Sequence, residues 1–194
     1  MTAIQLIAGL GNPGSKYEQT RHNAGFWFVD AVAHRYSAAF RAEGRYKSEV
    51  ARCRIGDHDC RLQKPMDFMN CSGMPVASLA GFYRIPRQAI LVVHDELDLP
   101  PGTVRLKKGG GHGGHNGLRD LIPKLGGNDF LRLRIGIGHP GHRDDVTGHV
   151  LKPASREERD AIETSIDAAL QVLPDIVAGN LDRAMKALHT GSAG

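Results

Sequence analysis

The sequence predicts an α/β fold, in which strands and helices alternate along the chain and pack as layers. Short apolar runs rich in branched residues, typical of buried strands, alternate with longer segments whose apolar residues recur at helical spacing. No internal repeat and no shift in composition marks a domain boundary within the 194 residues. We therefore expect one domain over residues 1–194, a length that can bury a substantial core.

The first half of the chain supplies three strands and a helix. Ile4–Leu10 is an apolar run that predicts a buried strand, and Gly11–Gly14 is the turn that ends it. Phe26–Tyr36 predicts a helix because its apolar residues share one face. The runs Val50–Ile55 and Cys60–Gln63 predict paired strands around a Gly-Asp turn.

The middle of the chain continues the alternation. Asn70–Tyr83 predicts a helix, and Ala89–Val93, rich in branched aliphatic residues, predicts a central strand. Val104–Lys107 predicts a further strand and Leu118–Leu125 a short helix. Leu131–Ile137 alternates apolar residues with Arg and Gly, which predicts a strand with one buried face and one basic face.

The C-terminal part predicts two helices. Ser155 and Glu158 form a capping box ahead of a segment with an apolar stripe. Asn180 is a suitable N-cap for the last helix. The chain therefore ends in helices that can cover one face of a sheet.

Composition and charge narrow the class of protein. The formal net charge is +4, but residues 101–152 hold nine Lys or Arg against four acids, whereas residues 153–194 hold four against seven. This distribution is consistent with a polyanionic partner on one face, but ordinary solvated surface charge explains it equally well.

No apolar run reaches membrane-spanning length and no signal peptide is evident. The cysteines form no CxxC pair, so we expect free thiols in a reducing cytoplasm.

The run Thr20–Gly25 contains the most informative histidine. It places His22 in a polar turn just ahead of an apolar helix, which suits a general base at the mouth of a cleft. Asp95 follows the strand Ala89–Val93 at its carboxyl end, where α/β folds commonly build sites. Because side chains alternate along a strand, His94 points away from Asp95. We therefore pair Asp95 with His22 across space, so that the carboxylate fixes the imidazole tautomer.

The sequence also bears on the identity of the nucleophile and on the acids that follow Asp95. No G-x-S-x-G elbow is present, so water is the expected nucleophile. Cys71, in the first turn of a predicted helix, is an alternative nucleophile, but nothing in the sequence pairs it with a histidine. We expect it to be a buried packing residue. Glu96 and Asp98 are expected to be solvated loop acids.

Three other motifs allow competing interpretations. Gly9–Gly14 matches the dinucleotide-binding pattern G-x-G-x-x-G, but no helix begins at the glycines and no acid ends a second strand, so we expect a tight turn that aims Asn12. The glycine-rich run Gly109–Gly117 fits either a mobile linker or a loop that closes over a substrate. Glycine loops do not preorganise metal ligands, so a metal-free site is favoured despite the H-x-x-H spacings of His112, His115, His139 and His142.

Several of these strings together resemble the bacterial peptidyl-tRNA hydrolase family, over essentially the whole chain. The matching strings are Asn12-Pro13-Gly14, Tyr17, Thr20–Gly25, Phe68-Met69-Asn70-x-Ser72-Gly73, His94–Asp98, the glycine run to Asn116-Gly117, and Arg132–Gly138. The resemblance implies a single α/β/α layered domain around a twisted, mixed, mostly parallel sheet. It implies a cytoplasmic, monomeric esterase, without metal or cofactor, membrane or obligate protein partner. Such an enzyme splits the peptide from the tRNA of peptidyl-tRNA so that the tRNA is reused.

The resemblance also implies roles for individual residues. It makes His22 the base that activates water and Asp95 the residue that keeps His22 basic. Asn70 and Asn116 would contact the peptidyl part and the 3′-terminal adenosine and would polarise the ester carbonyl. Asn12 would help to distinguish an N-blocked aminoacyl group from a free one. The remaining substrate-binding residues would be Tyr17, Phe68, Met69 and His115.

The tRNA body is expected to bind through phosphates and shape, because aromatic residues for base stacking are few. The candidate phosphate contacts are Arg105, Lys107, Lys108, Arg134 and Arg143. The same residues fit ordinary solvated charges at the rim of the protein.

Two other functions stay open. One is a non-catalytic RNA-binding protein, which would not need both His22 and Asp95. The other is a metal-dependent hydrolase that uses the histidine-rich loops.

Overall fold

The computed structural model describes residues 2–191 and contains one seven-stranded sheet. The strands are β1 (Leu6–Gly9), β2 (Arg41–Glu43), β3 (Ser48–Ile55), β4 (His58–Pro65), β5 (Ile90–Glu96), β6 (Val104–Lys108) and β7 (Leu131–Gly136). Their order across the sheet is β2-β3-β4-β1-β5-β7-β6. Each of the six predicted strands is therefore observed, while β2, a short strand of three exposed residues, had no apolar pattern to predict it.

The sheet is mixed. The four central strands are parallel, since β1 pairs in parallel with both β4 and β5, and β5 pairs in parallel with β7. The pairs β2–β3, β3–β4 and β6–β7 are antiparallel and form the two sides of the sheet. Parallel strands covered on both faces need continuous apolar sequence, and β5 is buried from Ile90 to Asp95.

Helices cover both faces of the sheet. They are α1 (Ala24–Arg35), α2 (Gly73–Phe82), α3 (Asn116–Leu125), α4 (Val146–Val150), α5 (Arg156–Ala178) and α6 (Leu181–Gly191). One core contains Phe28 of α1 and Leu173 of α5, and the other contains Leu79 of α2 and Leu121 of α3. The layers are thus α/β/α. No helix in the described part of the chain is long and apolar enough to cross a membrane.

Local signals at the helix ends agree with the sequence in most places. The capping box at α5 is confirmed, because Ser155 Oγ accepts the Glu158 N–H at 3.1 Å and Glu158 Oε1 accepts the Ser155 N–H at 3.2 Å. The helix expected from Asn70 begins only at Gly73, after a turn of 3-10 helix over Met69–Cys71. The helix expected from Leu118 begins two residues earlier, at Asn116.

Two burial expectations are wrong. Arg132, expected on a basic face of β7, is 2% exposed, stacks on Phe130 and donates to the carbonyls of Gly110 and Gly111. The glycine-rich run closes over this side of β7, so both faces of the strand are covered. Cys71 is exposed rather than buried, because it lies in the turn outside α2.

Close packing between α1 and the sheet depends on two glycines. A Cβ on Gly25 would lie 2.5 Å from the Val93 carbonyl oxygen and 2.6 Å from the Leu10 nitrogen. A Cβ on Gly9 would lie 2.3 Å from the Gly25 carbonyl oxygen. The first turn of α1 therefore contacts the carboxyl ends of β1 and β5 directly. This contact brings the residues just before α1 to the edge of the sheet where Asp95 ends its strand.

Candidate active site

The side chains of His22 and Asp95 meet at this edge of the sheet. His22 lies in the 3-10 turn before α1, Asp95 lies near the end of β5, and both are buried. His22 Nδ1 is 2.9 Å from Asp95 Oδ2. Since a carboxylate only accepts, Nδ1–H donates and the lone pair of the ring is on Nε2. Arg21 anchors the turn through Glu158 Oε1, at 3.0 Å.

The other oxygen of Asp95 accepts a hydrogen bond from a second histidine. His115 Nε2 is 2.8 Å from Asp95 Oδ1. His115 Nδ1 accepts the backbone N–H groups of Gly117 and Leu118, at 3.1 and 3.3 Å, and so caps α3. An imidazole that accepts at Nδ1 carries its proton on Nε2. The sequence placed His115 among the substrate-binding residues and did not predict its contact with Asp95.

The three groups shift one another's proton affinity. Burial raises the pKa of Asp95, but the charges and hydrogen bonds of His22 and His115 outweigh it and hold that pKa well below its usual range. Burial lowers the pKa of His22, whereas the charge and hydrogen bond of Asp95 raise it, and the net result is a pKa above 6.5. Asp95 is therefore a carboxylate, and it favours the imidazolium of His22 once a proton is taken up.

His94 is a neutral buried side chain. Burial, and next the charge of His115, lower its pKa to about 3. Its Nδ1 donates to the backbone carbonyl of Asp95 at 2.8 Å, and it does not line the cavity beside His22. Direct pairing of adjacent side chains along β5 is therefore not observed, as strand alternation predicted.

Asn12 is held in place by a residue that the sequence pattern did not single out. Asn23 Oδ1 accepts the Asn12 N–H, and Asn23 Nδ2 donates to the Asn12 carbonyl, both at 2.9 Å. Asn12 Oδ1 accepts the Met69 N–H at 2.7 Å. With this oxygen occupied, the Asn12 side chain presents its NH₂ group. The position of Asn23, directly after His22, was the only signal that sequence offered for it.

A cavity of about 670 Å³ opens beside these groups. Its lining includes ten of the predicted site residues, namely Asn12, Tyr17, His22, Phe68, Met69, Asn70, Asp95, His115, Asn116 and Arg143. Tyr17 and Phe68 form an edge-to-face pair with ring centres 6.3 Å apart. Asn116 Oδ1 accepts from Arg119, an exposed cavity residue that sequence reasoning missed, at 3.1 Å. The volume suits the end of a flexible substrate rather than a folded partner.

The candidate phosphate contacts fall into two groups. Arg105, Lys107 and Lys108 follow one another along β6, at the edge of the sheet, while Arg143 lies at the cavity. Arg134 is opposite Arg105 on β7, but its Nη1 donates to Glu96 Oε1 at 3.3 Å. Glu96 is therefore a half-buried ion-pair partner, and the expectation that it is a solvated loop acid is wrong. Asp98 is exposed, as expected.

The histidine-rich loops do not bring their histidines together. The Nδ1 atoms of His112, His139 and His142 each accept the backbone N–H two residues further on, at 2.9 to 3.1 Å. Within residues 2–191, His22, Asp95 and His115 form the one group with ligand atoms close enough for a metal ion, within 4.8 Å of one another. Both histidine nitrogens in that group already donate to Asp95. The H-x-x-H spacings therefore create no shared metal-binding geometry.

The thiols offer no second nucleophile beside the histidines. Burial raises the pKa of Cys53 to about 11 and that of Cys60 to about 12. Cys71 does not line the cavity beside His22. An imidazole backed by a carboxylate, at the carboxyl ends of parallel strands and beside asparagine amides, is the arrangement of a hydrolase that uses water.

The chain belongs to the peptidyl-tRNA hydrolase family, whose model matches residues 6–193. It is 57% identical to the peptidyl-tRNA hydrolase of Halorhodospira halophila over 186 residues, which cover 96% of each chain. It is 56% identical to that of Pseudomonas aeruginosa over 194 residues, the full length of both. The crystal structure of peptidyl-tRNA hydrolase from Acinetobacter baumannii superposes with a TM-score of 0.94 at 50% identity, over 97% of this chain and 95% of that chain. These comparisons confirm the family resemblance and the α/β fold.

Proposed function

We propose that this chain hydrolyses the ester between the peptide and the tRNA in peptidyl-tRNA, with His22 as the general base toward water and Asp95 as the residue that orients it. The observation that carries the proposal is the 2.9 Å contact between His22 Nδ1 and Asp95 Oδ2 at the wall of the 670 Å³ cavity. It leaves Nε2 of His22 as the acceptor for a proton of the attacking water.

The reaction needs little beyond this base. His22 Nε2 takes a proton from water as the oxygen attacks the ester carbonyl. The buried charge of Asp95 stabilises the imidazolium, which then returns the proton to the 3′ oxygen of the ribose as the bond breaks. The product is a free peptide carboxylate and a tRNA with a free 3′ hydroxyl. An ester has a good leaving group, so no covalent enzyme intermediate is required.

Amide N–H groups are the candidates for stabilising the developing oxyanion. Arg119 holds the Oδ1 of Asn116 at 3.1 Å, and the amide NH₂ of Asn116 is then the group available to a substrate. Asn70 is exposed at the cavity in the turn before α2. Donors placed where negative charge develops are worth several kcal/mol in other acyl-transfer sites, about 2.7–4 kcal/mol for one donor.

Asn12 supplies a basis for recognising a blocked amino group. Its Oδ1 is engaged by the Met69 N–H, so its NH₂ group can donate to the acyl carbonyl of an N-blocked residue. A free aminoacyl group has no such carbonyl and carries an ammonium, which a donor does not stabilise. This discrimination therefore rests on the amide NH₂ of Asn12 and not on its amide carbonyl.

The tRNA is proposed to approach from the side of β6. Arg105 and Lys107 lie on this edge strand, and tRNA phosphates are held by such cations without reading the sequence of the bases. We assign Arg143 a contact with the acceptor end, because it lines the same cavity as His22. Arg134 is the weakest of these candidates because Glu96 already engages its guanidinium.

We further propose, from the family alone, that the chain is a cytoplasmic monomer that needs no cofactor. Sedimentation of the purified chain tests the oligomeric state.

One experiment tests the proposal directly. The purified protein is incubated with N-acetyl-aminoacyl-tRNA, and the released tRNA is scored by recharging. We expect His22→Ala to lower kcat by about 10²–10⁴-fold while tRNA affinity stays near that of the wild type. His34→Ala, at an exposed histidine of α1 outside the cavity, is the matched control and should be fully active. Turnover of His22→Ala at the wild-type rate would refute the assigned role.

Two other functions are tested by the same assay. A non-catalytic RNA-binding protein would bind tRNA but release no peptide. A hydrolase that depended on a metal held by the histidine-rich loops would lose activity on exhaustive chelation and regain it with zinc. We expect activity to survive chelation.

A further inference from the structure

A second cavity lies on the other side of Asn12 from the cavity that contains His22. It has a volume of about 320 Å³, roughly half that of the first, and the two cavities share Asn12 and no other lining residue. Its remaining walls come from the loop after β1, from α1, from the ends of β3 and β4, and from α5. The two cavities therefore adjoin at Asn12, and a substrate long enough to extend past this residue from the first cavity would reach the second.

Part of the lining of this cavity is aromatic. Trp27 Nε1 donates to the carbonyl of Glu18 at 2.8 Å. The guanidinium of Arg159 lies 3.5 Å from the centre of the Trp27 ring, and Phe26 and Met66 add further apolar surface. Most of the other lining residues are polar or charged, so the cavity combines aromatic surface with hydrogen-bonding groups, which suits the side chains and backbone of an extended peptide.

The charges of the cavity suit a cation better than an anion. Lys64 is neutralised by Asp30 and Glu49, at 2.7 and 3.2 Å. Arg159 is paired with Glu163 at 3.0 Å. Glu18 also lines the cavity; it is an exposed residue, and no described residue forms an ion pair with its carboxylate. A phosphate would meet this carboxylate without a free cation to balance it, whereas a lysine or arginine side chain would be attracted.

The order of the strands separates this cavity from the proposed tRNA side. Glu49 and Lys64 belong to β3 and β4, and the basic residues Arg105 and Lys107 belong to β6. β6 is four places from β4 in the sheet, about 19 Å at the usual spacing of neighbouring strands. The strands that end at the candidate site, β1 and β5, lie between them. A substrate whose tRNA lies along β6 therefore directs its peptide toward β4 and β3.

We propose that the second cavity is a subsite for the peptide residues upstream of the residue esterified to the tRNA, and that it favours basic over acidic side chains there. The inference rests on the proposed hydrolysis at His22. It adds a length and charge dependence that the chemistry at the ester does not require, because a single blocked residue already satisfies Asn12 and the base.

Matched substrates test the charge preference. kcat/KM is measured for tRNA that carries N-acetyl-Ala, N-acetyl-Lys-Ala-Ala or N-acetyl-Glu-Ala-Ala. We expect the lysine substrate to be favoured over the glutamate substrate by about 3–10-fold in the wild type, as for one screened charge contact. Glu18→Lys should reverse this ratio. Asp57→Lys makes the same charge change at the fully exposed turn between β3 and β4, at the other end of these strands, and should leave the ratio as it is.

A binding measurement provides a readout besides activity. Trp27 is the single tryptophan of the chain, so its fluorescence reports on this cavity. The probes are 3′-amino-3′-deoxyadenosine carrying N-acetyl-Lys-Ala-Ala or N-acetyl-Ala through a stable amide. We expect a saturable change in Trp27 emission with the first probe and not with the second.

The outcomes separate the two proposals. Hydrolysis of all three substrates with equal efficiency, together with unchanged Trp27 emission, would overturn the subsite and leave the hydrolase intact. Failure to hydrolyse even N-acetyl-Ala-tRNA would instead overturn the proposed function. A lysine-to-glutamate ratio that Glu18→Lys does not alter would also overturn the subsite.

Discussion

Replacing Asp95 by Asn tests the central geometry most sharply. Both carboxylate oxygens of Asp95 accept from imidazoles, His22 at 2.9 Å and His115 at 2.8 Å. Asparagine has one acceptor oxygen and an NH₂ group, so it cannot accept from both rings. The backbone N–H groups of α3 keep the His115 proton on Nε2. We therefore expect His22 to face the new NH₂ group and to lose its lone pair at Nε2, the position the base needs.

The magnitude follows from removing the negative charge. Unit charges about 4 Å apart attract by about 4 kcal/mol at an effective dielectric constant of about 20. Without that attraction in the transition state, where His22 is an imidazolium, the rate should fall roughly 10³-fold. This value lies within the roughly 10²–10⁴-fold range of general-base effects. The assay is kcat/KM on N-acetyl-aminoacyl-tRNA, with circular dichroism to show that Asp95→Asn is folded.

The pH dependence of kcat/KM tests the same interaction independently, through the direction in which its midpoint moves. The base acts when His22 is neutral, so kcat/KM should rise with pH and reach half its limit above 6.5, because Asp95 raises the pKa of His22. In Asp95→Asn the burial of His22 persists without the charge, so the midpoint should move to lower pH. The exposed Asp57→Asn is the control and should change neither quantity. A variant within about threefold of the wild type, with an unmoved midpoint, would refute the reasoning.

Three further changes have defined outcomes. Arg105→Glu with Lys107→Glu should weaken tRNA binding and lower the slope of log affinity against log salt by about 1 for each phosphate that the variant no longer binds. His115→Ala removes the cap of α3 and should lower the free energy of unfolding by about 0.5–2 kcal/mol, with a smaller loss of rate than Asp95→Asn because the hydrogen bond between His22 and Asp95 remains. Gly25→Ala should destabilise the fold by about 1–3 kcal/mol or more, since its Cβ would lie 2.5 Å from the Val93 carbonyl oxygen.

Matched variants control these measurements. Charge reversal at Arg52 and Arg54, exposed on β3, should not change the salt dependence of tRNA binding. Gly81→Ala, at a helical glycine with open space around it, should be neutral or stabilising by up to about 1 kcal/mol in denaturant unfolding. Equal effects in a variant and its control would contradict the specific interaction invoked for that variant.

Much of the fold was predictable because it is encoded locally. The apolar run Ile4–Leu10 contains β1, and Ala89–Val93 overlaps β5, since strands buried on both faces need uninterrupted apolar sequence. Ser155 marks the start of α5 because the capping box involves residues three positions apart. β2 could not be predicted, because its three residues are exposed and their pairing with β3 carries no apolar pattern.

Much of the candidate site was also predictable, but not how its parts connect. His22 and Asp95 could be paired because each stands at a recognisable position, before a helix and at the end of a strand. The contacts of His115 with Asp95 and of Asn23 with Asn12 could not, since no local pattern at His115 or Asn23 indicates which distant group it meets. The ion pair between Arg134 and Glu96 likewise depends on the register of β7 against β5.

The sequence by itself determined most of the segments that form strands and helices, and which residue types stand at their ends. Only the tertiary structure decided that a second histidine, His115, also binds Asp95, which arginines are buried and where a second cavity opens. The physical reason is the distance along the chain over which each kind of interaction acts. Apolar periodicity and capping act between near neighbours along the chain, whereas tautomers, ion pairs and cavities depend on atoms from distant segments meeting within about 3 Å.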